Sequence, residues 1–270
     1  MMKLNVDYMS DVHINHHVPF RNNQEKWKKQ TVEWTNKLLQ DATGEVLIVA
    51  GDFSEWNVQT QWFLEECSKH YDHVFITAGN HDYYLLSNNQ REKYKDHKRR
   101  RQQSRVRLEE MFHNASQLPN VTVLHGDVVS YKGFIFGGHS LWYKPETYAD
   151  FSWFESNSND RRYISVGQRY PKESYDVLYG EALAWYNTIE KQPFDVFISH
   201  IPPVNPPNGR DRNACYIAPL PFLANTKYWV CGHQHVQSSF EKHDIQFHMN
   251  PIGYPNEKPV QKVRTFTITK

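Results

Sequence analysis

Val46-Leu47-Ile48-Val49-Ala50-Gly51-Asp52 is the stretch on which the reading of this chain turns. Five apolar residues ending at a glycine have the length and punctuation of a strand buried on both faces. The aspartate that follows places a carboxylate at the strand's carboxyl end. The same grammar recurs along the 270 residues. Residues 4–10 lead into Asp11-Val12-His13, 74–78 into Gly79-Asn80-His81-Asp82, 195–199 into His200, and 228–231 into Gly232-His233-Gln234-His235. Five strand ends thus deliver Asp, Asn or His. In open α/β sheets the ligand crevice lies outside the carboxyl ends of the strands, so these groups are expected to converge.

Between the strands, Trp27, Thr31, Trp34 and Leu38 recur at helical spacing, as do Leu178, Ala182, Trp185 and Ile189, with Val58, Trp62 and Cys67 less regular. Further strands are expected at 121–124, 134–137, 245–249 and 263–268. The alternation predicts a layered α/β fold with a partly parallel sheet and added hairpins. The chain reads as a single domain over 1–270 with cap-like insertions at about 89–112 and 143–174, the first as one helix. Residues 201–221, rich in Pro and Asn, read as irregular.

Composition narrows the class further. The cleanest apolar run, 46–50, is five residues long, far below the about 20 of a transmembrane helix, so no membrane association is expected. No secretory apolar segment opens the sequence, and Cys67, Cys215 and Cys231 show no disulfide or metal-binding spacing. A cytoplasmic location is therefore expected. The net charge of +1 conceals an asymmetry: residues 91–107 hold nine basic and two acidic side chains, leaving 22 basic against 28 acidic elsewhere. That segment reads either as a solvated helix face or as an attractor of nucleic acid or polyphosphate.

The donors at the strand ends are carboxylate, amide and imidazole, the set suited to borderline first-row divalent cations. Asp11, His13, Asp52, Asn80, His200, His233 and His235 make seven candidates, too many for one tetrahedral ion, and two ions sharing a carboxylate is the economical arrangement. If the chain is extended there, Asp11 with His13, and His233 with His235, share a face. These residue types alone do not separate His81 from the ligands.

In this order, Asp-x-His, Gly-Asp, Gly-Asn-His-Asp, a lone His and Gly-His-x-His resemble the calcineurin-like metallophosphoesterase superfamily. The segments 250–255 and 137–142 are similar to its bacterial and phage branch. The resemblance implies a four-layer α-β-β-α sandwich of two mixed sheets with the metal site at the C-terminal ends of strands. It implies Asp11, His13 and His235 on one metal, Asn80, His200 and His233 on the other, and Asp52 bridging. His81 would be the acid that protonates the leaving oxygen, oriented by Asp11, with Asp82 stabilising the loop. The ions expected are Mn²⁺ first, with Fe, Zn, Ni or Co as alternatives.

The activity implied is hydrolysis of a phosphodiester, nucleotide-type or otherwise small, by in-line attack of a metal-bound hydroxide. The alternatives are a DNA or RNA nuclease steered by 91–107, a phosphomonoesterase, and last a non-catalytic scaffold. Phe53-Ser54-Glu55-Trp56 departs from the Asp-Arg-Gly continuation of protein Ser/Thr phosphatases, and Glu55 stands where purple acid phosphatases carry a tyrosine ligand. Phe151 to Phe154 with Arg161, Arg162 and Arg169 read as a candidate lid. Arg210 and Arg212 read as candidate phosphate contacts, and His16 and His17 as candidates to face the cleft.

Overall fold

The computed structural model describes residues 2–96, 98–99, 101–170, 173–209, 214–257 and 262–270. In chain order its strands are β1 (Lys3–Met9), β2 (Val46–Ala50), β3 (His73–Thr77), β4 (Val121–Val123), β5 (Asp127–Tyr131), β6 (Phe134–Gly138), β7 (Pro193–Ile198), β8 (Asn225–Cys231), β9 (Ser238–Lys242), β10 (Ile245–Met249) and β11 (Arg264–Thr269). The helices are α1 (Ile14–His17), α2 (Gln24–Leu38), α3 (Asn57–His70), α4 (Asn88–Lys93), α5 (Gln103–Ser116), α6 (Tyr148–Asn157), α7 (Asp160–Tyr163) and α8 (Ser174–Tyr186).

Two mixed sheets, ordered β11-β1-β2-β3-β4 and β5-β6-β7-β8-β10-β9, pack face to face with helices outside them, as the sandwich expectation has it. β1 to β4 are mutually parallel, as are β6, β7, β8 and β10. The layer between the sheets is filled by alternate residues, Leu4, Val6 and Tyr8 from β1 and Val46, Ile48 and Ala50 from β2, against Phe136, Val196, Ile198 and Val230. Phe75 stacks on Phe136 at 4.3 Å across that layer. The intervening positions Leu47, Val49 and Ile76, and Phe197 and Trp229 opposite, turn outward beneath the helices. Burial on both faces explains why these strands read as unbroken apolar runs.

All nine expected strands are present; β5 and β9 were not foreseen. They are the two edges of the six-stranded sheet, partly exposed and interrupted by polar residues, so neither carries a continuous apolar run.

The basic segment is two helices, not the single one expected. A Ser87–Gln90 capping box starts α4. At the break, Asp96 accepts a hydrogen bond from the Lys98 backbone N–H at 2.6 Å, a local turn that competes with helix. Four consecutive cations at 98–101 offer no apolar face. Helical burial resumes only where Leu108, Met111 and Ala115 reach the core. No helix among the described residues is long and apolar enough to cross a membrane.

Candidate metal centre

Because β1, β2, β3, β7 and β8 are parallel within their sheets, their carboxyl ends come together where the sheets adjoin. The chain then turns sharply. Asp11, His13, Asp52, His233 and His235 all have positive φ, between 45° and 69°. The extended pairing of Asp11 with His13 and of His233 with His235 is thus corrected: each residue sits in the left-handed region, where Asp, Asn and His are the side chains best tolerated. Such conformations cost of the order of 1 kcal/mol each and concentrate at functional sites.

Neighbouring backbone holds the turns. Asp11 N–H donates to Gly51 O at 3.0 Å and His13 N–H to Asp52 O at 2.9 Å, while Gly232 N–H reaches His200 O at 2.9 Å. Gly79 has no side chain because a Cβ there would strike Asp52. The buried Asp82 carboxylate accepts from Gly79 N–H (2.7 Å), Asp52 N–H (2.9 Å) and Phe53 N–H (3.0 Å), which fixes two of the turns to each other. Burial and the nearby Asp52 push Asp82 up to about 6, against those amides and Arg107.

The imidazoles are oriented from outside the cluster. His200 donates through Nδ1 to Ala50 O at 2.7 Å, His233 through Nε2 to Cys215 O at 3.1 Å, and His235 through Nδ1 to Glu257 at 2.6 Å. In a neutral ring that is the one proton, so the neutral forms present His200 Nε2, His233 Nδ1 and His235 Nε2 as lone pairs. Those lone pairs face other acceptors. Asn80 Oδ1 lies 3.1 Å from His200 Nε2 and 3.2 Å from His233 Nδ1. Asp52 lies 3.4 Å from His200 Nε2 and 3.7 Å from His13 Nε2, and Asp11 lies 3.4 Å from His235 Nε2. Nε2 of His13 and of His235 meet at 3.0 Å. Acceptors aimed at acceptors in a buried site require a cation between them, so the donors present fit metal ions.

Three overlapping donor groups have the spacing for this: Asp11 with His13 and His235, His13 with Asp52 and His81, and Asp11 with Asp52 and His200. Charge agrees with geometry. Although burial opposes it, Asp52 and Asp11 hold His200 up to about 10, and Asp52 and Glu55 hold His81 up to about 9. The carboxylates of the cluster thus favour positive charge beside them. His233, buried and beside His200, is pushed down to about 4.

Sequence reading missed the residues that position the others. Asn80 is turned by Asp160, which accepts from its Nδ2 at 2.9 Å while also holding the hydroxyls of Tyr84 and Tyr143. His81 Nδ1 is 3.0 Å from Glu55, a buried carboxylate held well below its ordinary range, against its burial, by His16 and His81. Asp11, the orienting partner implied by resemblance, instead accepts from Ser10 Oγ (2.6 Å) and His233 N–H (2.9 Å). Arg107, from the basic segment, is fully buried and donates to His81 O (2.9 Å) and Ser54 O (2.6 Å). No local motif marks any of these; only the approach of Glu55 to the motif aspartate, three residues away, was visible.

Among the other candidates, His16 is 3.6 Å from Glu55. His17 turns away, stacked on Trp34 and bonded to Gly253 O. Phe154 is core, whereas Trp153 lines the cavity with Tyr216. Arg210 and Arg212 lie outside the described residues. Tyr254, from the 250–255 segment, stacks on His13 at 4.5 Å, and Gly253 N–H braces Asp11 O at 2.8 Å.

Nitrogen and oxygen donors gathered at the carboxyl ends of a two-sheet α/β sandwich define a metal-dependent hydrolase. Residues 4–237 match the family described as calcineurin-like phosphoesterase, and the chain belongs to that family, whose members are dimetal-dependent phosphoester hydrolases. Comparison with curated proteins finds no match. Among solved structures, the chain is similar to a phosphopantetheinyl hydrolase from Mycobacterium tuberculosis, with a TM-score of 0.69 and 18% identity over 97% of this chain and 95% of that one. An archaeal phosphodiesterase matches with a TM-score of 0.37 and 10% identity over 98% and 100%. The first of these likenesses speaks for the fold.

Proposed function

We propose that the cavity hydrolyses a phosphodiester, nucleotide-type or otherwise small, with two divalent transition-metal ions, Mn²⁺ by preference. The observation that carries this reading is the set of imidazoles whose protons are spent outward and whose lone pairs face carboxylate and amide oxygens. Asp11, His13 and His235 would hold one ion, Asn80, His200 and His233 the other, and Asp52 would serve both. Such a pair supplies charge neutralisation at the phosphoryl oxygens and a water acidified toward neutral pH.

The chain's own residues do the rest. Glu55 fixes Nδ1 of His81, which leaves Nε2 to deliver a proton to the departing ester oxygen, and His81 lines the cavity. Glu55 is therefore a positioning residue. Asp160 turns the Asn80 amide so that its oxygen, not its nitrogen, faces inward. The cavity, of about 210 Å³, has room beside the cluster, and the rings of Trp153 and Tyr216, 5.4 Å apart, line it. That space favours a substrate with a second ester arm over a compact monoester. Cys67, Cys215 and Cys231 are all buried.

Hydrolysis of bis-p-nitrophenyl phosphate beside p-nitrophenyl phosphate, after reconstitution with Mn²⁺, Ni²⁺, Zn²⁺ and Fe²⁺, tests this. Faster turnover of the diester is expected, with Mn²⁺ the best ion. Faster turnover of the monoester would replace the diester reading with a phosphomonoesterase. No turnover with any ion would overturn the catalytic reading in favour of a scaffold.

A further inference from the structure

Most cations of the basic segment are already committed within the chain. Lys93 pairs with Glu110 at 2.9 Å, Lys95 with Glu92 at 3.2 Å, and Arg99 with Glu109 and Arg105 with Glu181 each at 2.6 Å. Arg107 is buried beneath His81. Among the described residues, those five cations are thus held by the chain itself.

Arg91 and Arg101 are different. With Arg161, Arg162 and Arg169 they line one open groove, and among the described residues no carboxylate lies within 4 Å of any of the five guanidinium groups. Nε of Arg161 is buried and has no hydrogen-bond partner. The groove is formed where the two segments 89–112 and 143–174 meet: Arg91 Nη2 donates to Arg162 O at 2.9 Å, and Ser104 N–H donates to Ser165 O at 3.0 Å. Like charges gathered without acids repel one another unless an anion joins them. The planar fork of arginine matches phosphate oxygens two at a time.

Its place in the fold gives the groove a meaning. α7 begins with Asp160, which holds Asn80 in the metal cavity, and its next two residues are Arg161 and Arg162 in the groove. One short helix thus walls both sites. We propose that the arginine groove is a second anion subsite that binds phosphate groups in series with the one being hydrolysed, so that the substrate class is a phosphate-bearing chain instead of an isolated ester. An oligonucleotide strand and a compact oligophosphate share that chemistry. The inference rests on the phosphoesterase reading for the word substrate, but the groove's affinity for serial phosphates is testable without it.

The experiment measures binding to the full-length chain, metal-loaded and metal-chelated in parallel, of labelled oligothymidylate, inorganic tripolyphosphate and orthophosphate. Arg162 and Arg169 are exposed, so Arg162→Glu with Arg169→Glu removes groove charge without disturbing the core; circular dichroism checks the fold. Lys26→Glu with Lys29→Glu, on the exposed face of α2, is the charge-matched control. The groove variant is expected to lose at least about tenfold in affinity for serial phosphates, and the control little. For the oligonucleotide, the slope of log affinity against log salt is expected to fall by about 0.7 per arginine removed.

Loss confined to oligothymidylate supports the groove with a strand as its ligand, and loss confined to tripolyphosphate supports it with a compact oligophosphate. Equal affinities in wild type and groove variant, or orthophosphate bound as tightly as tripolyphosphate, would overturn the inference. Wild-type turnover of bis-p-nitrophenyl phosphate is read separately, so failure of the groove and failure of the hydrolase reading are told apart.

Discussion

Histidines gather in two places in this chain, and the contrast between them shows what makes a site. His13, His81, His200, His233 and His235 meet carboxylates and one another at the strand ends, with Asp52 within 4 Å of two of them and Glu55 and Glu257 bonded to two more. His125 and His139 lie elsewhere, stacked on each other at 4.3 Å, with His139 on Trp185 at 5.0 Å. Their polar partners are neutral: Ser140 Oγ at His125 Nδ1, and the Leu141 N–H donating to His139 Nδ1, both at 3.0 Å. Burial pushes His125 down to about 4, with Arg105 adding to it, and His139 well below its ordinary value. Positive φ occurs at three of the five histidines in the first group's neighbourhood and at neither of the second. Histidine abundance therefore says little. Carboxylates facing outward-anchored imidazoles say a great deal.

The contrast can be broken at either end. The largest loss is expected for Asp52→Asn, which removes the carboxylate common to both halves of the cluster; turnover should fall by more than the about 10²- to 10⁴-fold that a general acid supplies, together with metal content. Next comes His81→Gln, expected to lower the rate of diester hydrolysis by about 10²- to 10⁴-fold while metal stoichiometry stays at the wild-type value. Equal loss of metal in that variant would return His81 to the ligands.

Glu55→Gln should cost about 10- to 100-fold on an alkyl ester, whose leaving oxygen needs a proton, and much less on a p-nitrophenyl ester, whose leaving group does not. A uniform loss on both esters would remove the positioning role. The smallest effect belongs to the second histidine group. Held down to about 4 from an ordinary value of 6.5, His125 contributes stability that is present above pH 6.5 and lost as pH falls through about 4. His125→Phe is expected to flatten that acid limb in melting curves taken across pH, with turnover at neutral pH unchanged.

How much of this was legible in the sequence follows from how local each feature is. β2 and Asp52 are contiguous, so the strand and the carboxylate it delivers were read together, and the same holds for Asn80 after β3 and His200 after β7. The backbone turn that aims each side chain was not legible, because positive φ at Asp11 or His235 is imposed by neighbours from other strands. The positioning shell was hidden for the same reason. Asp160 is 80 residues from the Asn80 it turns, and Glu257 is 22 from His235. Arg107 was read with its charged neighbours as part of a solvated or anion-attracting face, yet it turns inward and donates to His81 O. Edge strands β5 and β9 escaped because partly exposed five-residue strands with mixed polar and apolar residues carry neither an apolar run nor a regular alternation.

The central claim is that seven donors from five strand ends form one two-ion centre. Metal analysis of the full-length chain after reconstitution with Mn²⁺ and removal of free ion tests it most directly, with Asp52→Asn measured alongside. Two ions per chain in the wild type and a clear deficit in the variant are expected. One ion or none in the wild type, or an undiminished pair in Asp52→Asn, would contradict it.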